Sequence, residues 1–184
     1  MKKVLIPIAS GFEEIEAITV TDILRRAGAK VTIAATTEGT IKGSRGIKIQ
    51  PDALLDSVME IEFDLICLPG GQPGTDNLKN DSRILNLLVK MFEQEKWIAA
   101  ICAAPIVLKK ADIIKNHFLT SHPSVKSEFN SKNYLFDRVV VDGKLITSQS
   151  PGTAMEFALK LVEILFDSNR LNKVNRGVLA RISY

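Results

Sequence analysis

Two cysteines and two histidines are all that 184 residues supply of those types. Cys67 and Cys102 cannot build a disulfide framework, and the chain is expected to work in a reducing cytoplasm. His117, His122 and two separated thiols match no zinc-ligand spacing, so no metal is expected. No phosphate-binding loop and no dinucleotide fingerprint occurs, and no cofactor is expected. No stretch approaches the ~20 apolar residues of a membrane span. The apolar run after Met1-Lys2-Lys3 is interrupted at Pro7, which argues against a signal peptide. Twenty-four basic against 21 acidic residues leave a net charge of +3, too mild to indicate nucleic acid or a membrane surface. No repeat, low-complexity segment or dividing linker is visible, so residues 1–184 read as a single domain.

What is present is an alternation of strand-like and helix-like segments, the pattern of an α/β domain around a largely parallel sheet. Val4–Ala9 reads as a strand. Phe12–Ala27 reads as a helix closed by Gly28, and Val31–Ala35 as a second strand. Ile41–Gln50, punctuated by glycine, predicts short strands or a hairpin. Phe63–Leu68 is a strand stopped by Pro69-Gly70-Gly71. Asp81 or Ser82 caps a helix running to about Gln94. Trp97–Ile101 is a buried strand, and Ala103–Ala111 a helix with Pro105 in its first turn. Arg138–Val141 and Leu145–Thr147 flank Asp142-Gly143, a hairpin signal. Thr153–Phe166 is an apolar helix. The tail Asn169–Tyr184, with Arg170, Lys173, Arg176 and Arg181, reads as a short packed helix or a loose end.

Cys102 stands where the Trp97 strand gives way to a helix. A side chain at such an elbow projects from the carboxyl edge of a sheet, beside free N–H groups that favour a thiolate. That reading predicts a thiol pKa below ~7. The plainer alternative is an inert core cysteine, and that is the expectation for Cys67. Glu16 falls on the stripe of Val20, Ile23 and Ala27, where a carboxyl must be paired, hydrogen-bonded or protonated. A protonated Glu16 would donate a hydrogen bond to the sulfur. Glu13 and Glu14 read as ordinary helix-end charges. Gly70 and Gly71 can aim N–H groups at a developing oxyanion, although a tight turn alone would explain the pair. Ala103, which follows the nucleophile, joins them. His122 is a candidate base for the thiol, and His117 has no comparable partner. Ile15 and Ile18 add a second apolar face to the first helix, which predicts a homodimer; packing under a loop of the same chain is the alternative.

Together the segments Gly11-Phe12-Glu13-Glu14-Ile15-Glu16, Asp22–Gly28, Leu68-Pro69-Gly70-Gly71, Ala99–Pro105, Thr120-Ser121-His122-Pro123 and Thr147-Ser148 with Pro151-Gly152-Thr153 resemble the ThiJ/PfpI superfamily, in its DJ-one/ThiJ-like branch. The pieces keep the family's order up to about Phe166. The resemblance implies a flavodoxin-like (Rossmann-like) three-layer sandwich, related to class I glutamine amidotransferases, and a homodimer. It implies a nucleophilic, oxidation-sensitive cysteine at Cys102, a buried glutamic acid at Glu16, backbone donors at Gly70 and Gly71, and a nearby histidine at His122. It also implies cofactor-independent glyoxalase or deglycase activity on methylglyoxal or early glycation adducts of proteins and nucleotides. A redox-sensing stress chaperone is the alternative function. Older labels for the family are thiazole monophosphate biosynthesis and intracellular peptidase. An amidotransferase-like hydrolase is disfavoured, because Ala100–Ala104 lacks glycine and no glutamate follows His122-Pro123. Gln149-Ser150 departs from the Arg-Gly frequent in relatives, leaving Arg45 as the matched basic residue near the pocket or dimer seam.

Overall fold

A computed structural model describes residues 1–180. The chain runs through β1 (Lys3–Ile8), α1 (Glu14–Arg26), β2 (Lys30–Ala35), β3 (Ile41–Lys42), β4 (Lys48–Ile49), β5 (Ala53–Leu54) and β6 (Leu65–Leu68). It continues through α2 (Gly74–Asn80), α3 (Ser82–Glu93), β7 (Trp97–Ile101), α4 (Pro105–Lys110), β8 (Val139–Asp142), β9 (Leu145–Ser148), α5 (Ala154–Leu165) and α6 (Ser168–Val178). Seven strands form one sheet in the order β5-β2-β1-β6-β7-β9-β8, parallel except for the antiparallel β8–β9 pair. β3 and β4 pair antiparallel in a separate two-stranded sheet, the hairpin among the two forms expected of Ile41–Gln50.

The central strands are apolar on both faces because helices cover both. Val4, Ile6, Ile8, Leu65 and Ile101 face a layer that includes α1, α5 and α6. Leu5, Ile66, Leu68, Ile98 and Ala100 face α2, α3 and α4. The result is the flavodoxin-like, three-layer α/β sandwich. α5 is buried along most of its length, and Arg170 of α6 ties the third layer together by donating to Ala27 O at 3.0 Å.

β6 begins at Leu65 rather than Phe63, and two boundaries next to the site also differ from the sequence reading. α1 begins at Glu14, because Phe12 leaves the helix and sinks fully into the core. α4 begins at Pro105 and has six residues, so Ala103 and Ala104 form a turn before it. α2 and β5 are additional elements whose apolar runs are too short to stand out. Within the tail, residues up to Val178 form the packed helix; Arg181–Tyr184 lie outside the described residues.

Candidate active site

β1 and β6 are neighbours, yet the chain leaves β1 toward β2 and returns through β6 toward β7. Strand order therefore reverses between them, the kind of switch point beyond whose carboxyl strand ends open α/β sheets bind ligands. Glu13–Glu16 follow β1, Pro69–Gly71 follow β6, and Cys102 follows β7. Sheet order thus brings three distant segments to one edge.

Cys102 has φ 63°, the left-handed region that an L-residue with a side chain enters at a cost of roughly 1–2 kcal/mol. Its N–H donates to Ser148 O at 3.0 Å, and its carbonyl accepts from His122 N at 2.8 Å. These two bonds hold the elbow in its strained conformation. The thiol is half-buried.

Glu16 is completely buried. Its Oε2 accepts from Gly70 N at 2.7 Å, while Oε1 makes no hydrogen bond. Burial pushes the Glu16 carboxyl up to about 8, and the charge of Glu13 adds to this; the Gly70 N–H and the Cys102 thiol pull it back. At neutral pH Glu16 is therefore mainly protonated. The carboxyl and thiol are close enough to perturb each other. A side chain on Gly70 would come within 2.7 Å of Cys102 Cβ and 2.9 Å of Glu16 Oε2. Gly70 is thus the spacer that lets the two groups approach.

Burial also pushes the Cys102 thiol up, to about 12, and the charge and close approach of the Glu16 carboxyl push the same way; the N–H groups of Ala103 and Gly71 oppose them. The pair resists carrying two negative charges. This corrects the expectation of a thiol below ~7. α4 is too short for a substantial dipole, and desolvation outweighs the donors.

The remaining candidates divide. Gly71 and Ala103 direct N–H groups at the sulfur. Gly70 does not serve as an oxyanion donor, because its N–H is already bonded to Glu16. His122 is joined to the elbow through its backbone, but its ring Nδ1 lies 2.8 Å from Ser124 Oγ and accepts from Ser124 N. No ring bond to Cys102 occurs among the described residues. His117 sits elsewhere, 3.3 Å from Asp142 Oδ2.

Glu13 and Glu14 are buried, against the expectation of ordinary helix-end charges. Glu13 Oε2 caps α1 by accepting from Glu16 N at 2.8 Å. Glu14 accepts from Arg45 N at 2.7 Å, Ile47 N at 3.2 Å and Ser44 Oγ at 3.2 Å, which pins the β3–β4 turn. Desolvation works against the Glu14 charge, yet these donors leave its pKa below the usual value. Gly43, where a side chain would strike Glu14, was the available signal. Ser148, the elbow's acceptor, carried none beyond its place in the resembling motif. Ile15 and Ile18 are exposed, and no loop among the described residues covers them. Two surface clefts flanking Glu128, of about 240 and 600 Å³, are not lined by Cys102, Glu16 or His122. Among the described residues no group of three His, Cys, Asp or Glu side chains is arranged to hold a metal ion.

This constellation sits in a chain whose residues 2–164 match the family model described as the DJ-1/PfpI family. The chain belongs to the DJ-1/PfpI family. Its DJ-1 relatives include the Drosophila melanogaster protein dj-1beta, 44% identical over 181 residues, with 97% of both chains covered. Protein DJ-1 homolog A of Arabidopsis thaliana is 42% identical over 96% of this chain; this chain spans only 46% of that relative. A Caenorhabditis elegans relative named glutathione-independent glyoxalase DJR-1.2 is 38% identical, covering 88% of this chain and 87% of its own. The solved structure of oxidized Toxoplasma gondii DJ-1 superposes with a TM-score of 0.96 at 35% identity, covering 99% of this chain and all of its own. No described helix of this family member is long and apolar enough to cross a membrane.

Proposed function

We propose that the chain is a cysteine-dependent, cofactor-independent enzyme of the glyoxalase or deglycase type, acting on methylglyoxal or its early adducts. The observation that carries this reading is a buried, largely protonated Glu16 beside the half-buried Cys102, with the Gly71 and Ala103 N–H groups at the sulfur. The glyoxalase name of the worm relative supports the same class. The Cys102 thiol gives its proton to solvent as its sulfur bonds to the aldehyde carbon of methylglyoxal, and the former carbonyl oxygen takes a proton from Glu16, which is left as a carboxylate. The hemithioacetal gives its C1 proton to the Glu16 carboxylate, Glu16 returns that proton to C2, and the hydroxyl proton on the C1 oxygen passes to the C2 oxygen, giving a lactoyl thioester. Water then cleaves the thioester, one of its protons restoring the thiol, and lactate leaves as Glu16 regains a proton from solvent. A carboxyl poised near 8 can both give and accept protons in this sequence. His122 is the second candidate for proton transfer; its ring would first have to leave Ser124.

The two uncovered isoleucines favour a homodimer built on α1. Ile18→Glu should turn a dimer into a monomer by light scattering, and a wild-type monomer at micromolar concentration would refute the assembly. Two free thiols suit a reducing compartment such as the cytoplasm.

The test is steady-state kinetics on methylglyoxal with wild type and Cys102→Ser. Turnover lost in the variant supports the enzyme; absence of turnover in wild type refutes it. A redox-sensing chaperone is the second reading. The same two N–H groups and the unpartnered Glu16 Oε1 would hold sulfinate oxygens. Peroxide-dependent chaperone activity without turnover would favour it.

A further inference from the structure

Phe136 is 72% exposed, although three contacts hold it in place. Its ring stands edge-to-face with that of buried Tyr134, with centroids 5.6 Å apart. Lys126 Nζ lies 4.4 Å from its centroid. Its carbonyl accepts from Gln149 Nε2 at 2.9 Å. A lone exposed apolar residue is ordinary, but this one packs against Tyr134 and lies beside an ammonium group with no acidic partner among the described residues.

Both ends of the assembly reach the elbow. Tyr134 hydroxyl donates to Ser121 O at 2.9 Å, and the next residue, His122, donates its N–H to Cys102 O. Gln149 follows Ser148, whose carbonyl accepts from Cys102 N. The aromatic–cation platform is therefore built on the two segments that hold the nucleophile. Neither Phe136 nor Lys126 makes a hydrogen bond, ion pair or ring contact with Cys102 among the described residues, so nothing shown links them to a three-carbon dicarbonyl bound at the sulfur. They suit a substrate whose reacting carbonyl sits on a larger body.

On the reading of Cys102 as the nucleophile, we infer that Phe136 and Lys126 form a subsite for polypeptide adducts carrying an aromatic and an acidic residue beside the modified side chain. The partner's aromatic ring packs on Phe136, and its carboxylate pairs with Lys126. Gln149 and Tyr134 position the platform. The departure at Gln149 thereby acquires a role: its amide holds Phe136, where an arginine would bring a further positive charge.

The experiment compares methylglyoxal hemithioacetals of two capped tripeptides, Phe-Cys-Asp and Ala-Cys-Ala, at equal free methylglyoxal. Wild type should show kcat/KM about fivefold higher for the first, mostly through KM. The ratio within each variant cancels any general loss. It should fall to about one in Phe136→Ala and Lys126→Glu, and return in Phe136→Tyr. Turnover of methylglyoxal with a wild-type ratio near one overturns the subsite and leaves the proposed function standing. Absence of all turnover refutes that function; binding of a fluorescent Phe-Ser-Asp peptide then decides the surface, and equal affinity in wild type and Phe136→Ala overturns it. Preference for methylglyoxal-treated GMP, lost in the same variants, would reassign the platform to nucleotides. A changed oligomeric state in Phe136→Ala would make it a subunit contact, also overturning the inference.

Discussion

Cys67 and Cys102 lie on adjacent strands or just beyond them, and both feel the same buried carboxyl. Cys67 is in β6, paired in register with Ala99 of β7; Cys102 is one residue past the end of β7. Burial raises both thiols, and the charge of Glu16 raises both further. Their chemistry diverges through the backbone. Cys67 continues a strand and is 2% exposed, whereas Cys102 leaves the strand through a left-handed conformation and is half-buried, against two N–H donors. Candidate reactivity here belongs to a position in the fold, and identical side chains a few residues apart on neighbouring strands do not share it.

The widest gap between the two should appear in alkylation. Iodoacetamide should modify Cys102 about a thousandfold or more faster than Cys67, which reacts only through openings that cost several kcal/mol. The Cys102 rate should keep climbing from pH 7 to pH 9, because burial holds its thiol above the usual range. Peptide mass spectrometry reads both sites in one experiment, and comparable rates would erase the contrast.

Glu16→Gln sharpens the comparison next. It removes the charge that raises Cys102, so the thiol midpoint in an ultraviolet titration should fall. Turnover should drop by roughly 10²–10⁴ if Glu16 carries the proton. Stability supplies a third readout. Glu16 is raised from 4.5 to about 8 in the folded chain, so the native state holds more protons between those values. Its contribution is fully present below about pH 4.5 and is lost as pH rises toward about 8. Wild type should therefore lose on the order of a few kcal/mol relative to Glu16→Gln across that window, measured by urea unfolding. Parallel stability curves would mean that Glu16 is not buried as a neutral acid.

The smallest expected effect tests the spacer. Gly70→Ala inserts a methyl group between Cys102 and Glu16, and should cost about 1–3 kcal/mol of stability through overpacking. It should also uncouple the two groups, so that Cys102 titrates as in Glu16→Gln. A stable variant with wild-type titration would show that the close approach is unimportant.

Much of the architecture was legible in the chain. Strand–helix alternation and the glycine stops predicted the central sheet, the β3–β4 hairpin and the β8–β9 pair. The stripe in α1 identified Glu16 as buried, because a helical period of 3.6 places it beneath Val20 and Ile23. Glu14 escaped the same reasoning. Its partners are the backbone N–H groups of a turn some thirty residues away, and no local period records them. The fate of the Gly70 N–H was equally hidden. A glycine pair announces close approach without saying what approaches, and here it is a carboxyl group on another element.

Sequence alone determined which residues could react, since only a few side chains combine chemistry with a suspicious place in the apolar pattern. Cys102 at an elbow and Glu16 on a core stripe were such cases. The tertiary structure decided how they are tuned. Desolvation, the spending of Gly70 on Glu16, the turning of the His122 ring toward Ser124 and the Phe136–Lys126 platform all depend on segments that meet only when the sheet assembles. The physical reason is range. Periodicity and turn chemistry act over a few residues, whereas electrostatic and hydrogen-bond partners are set by distances in space that a linear pattern does not encode.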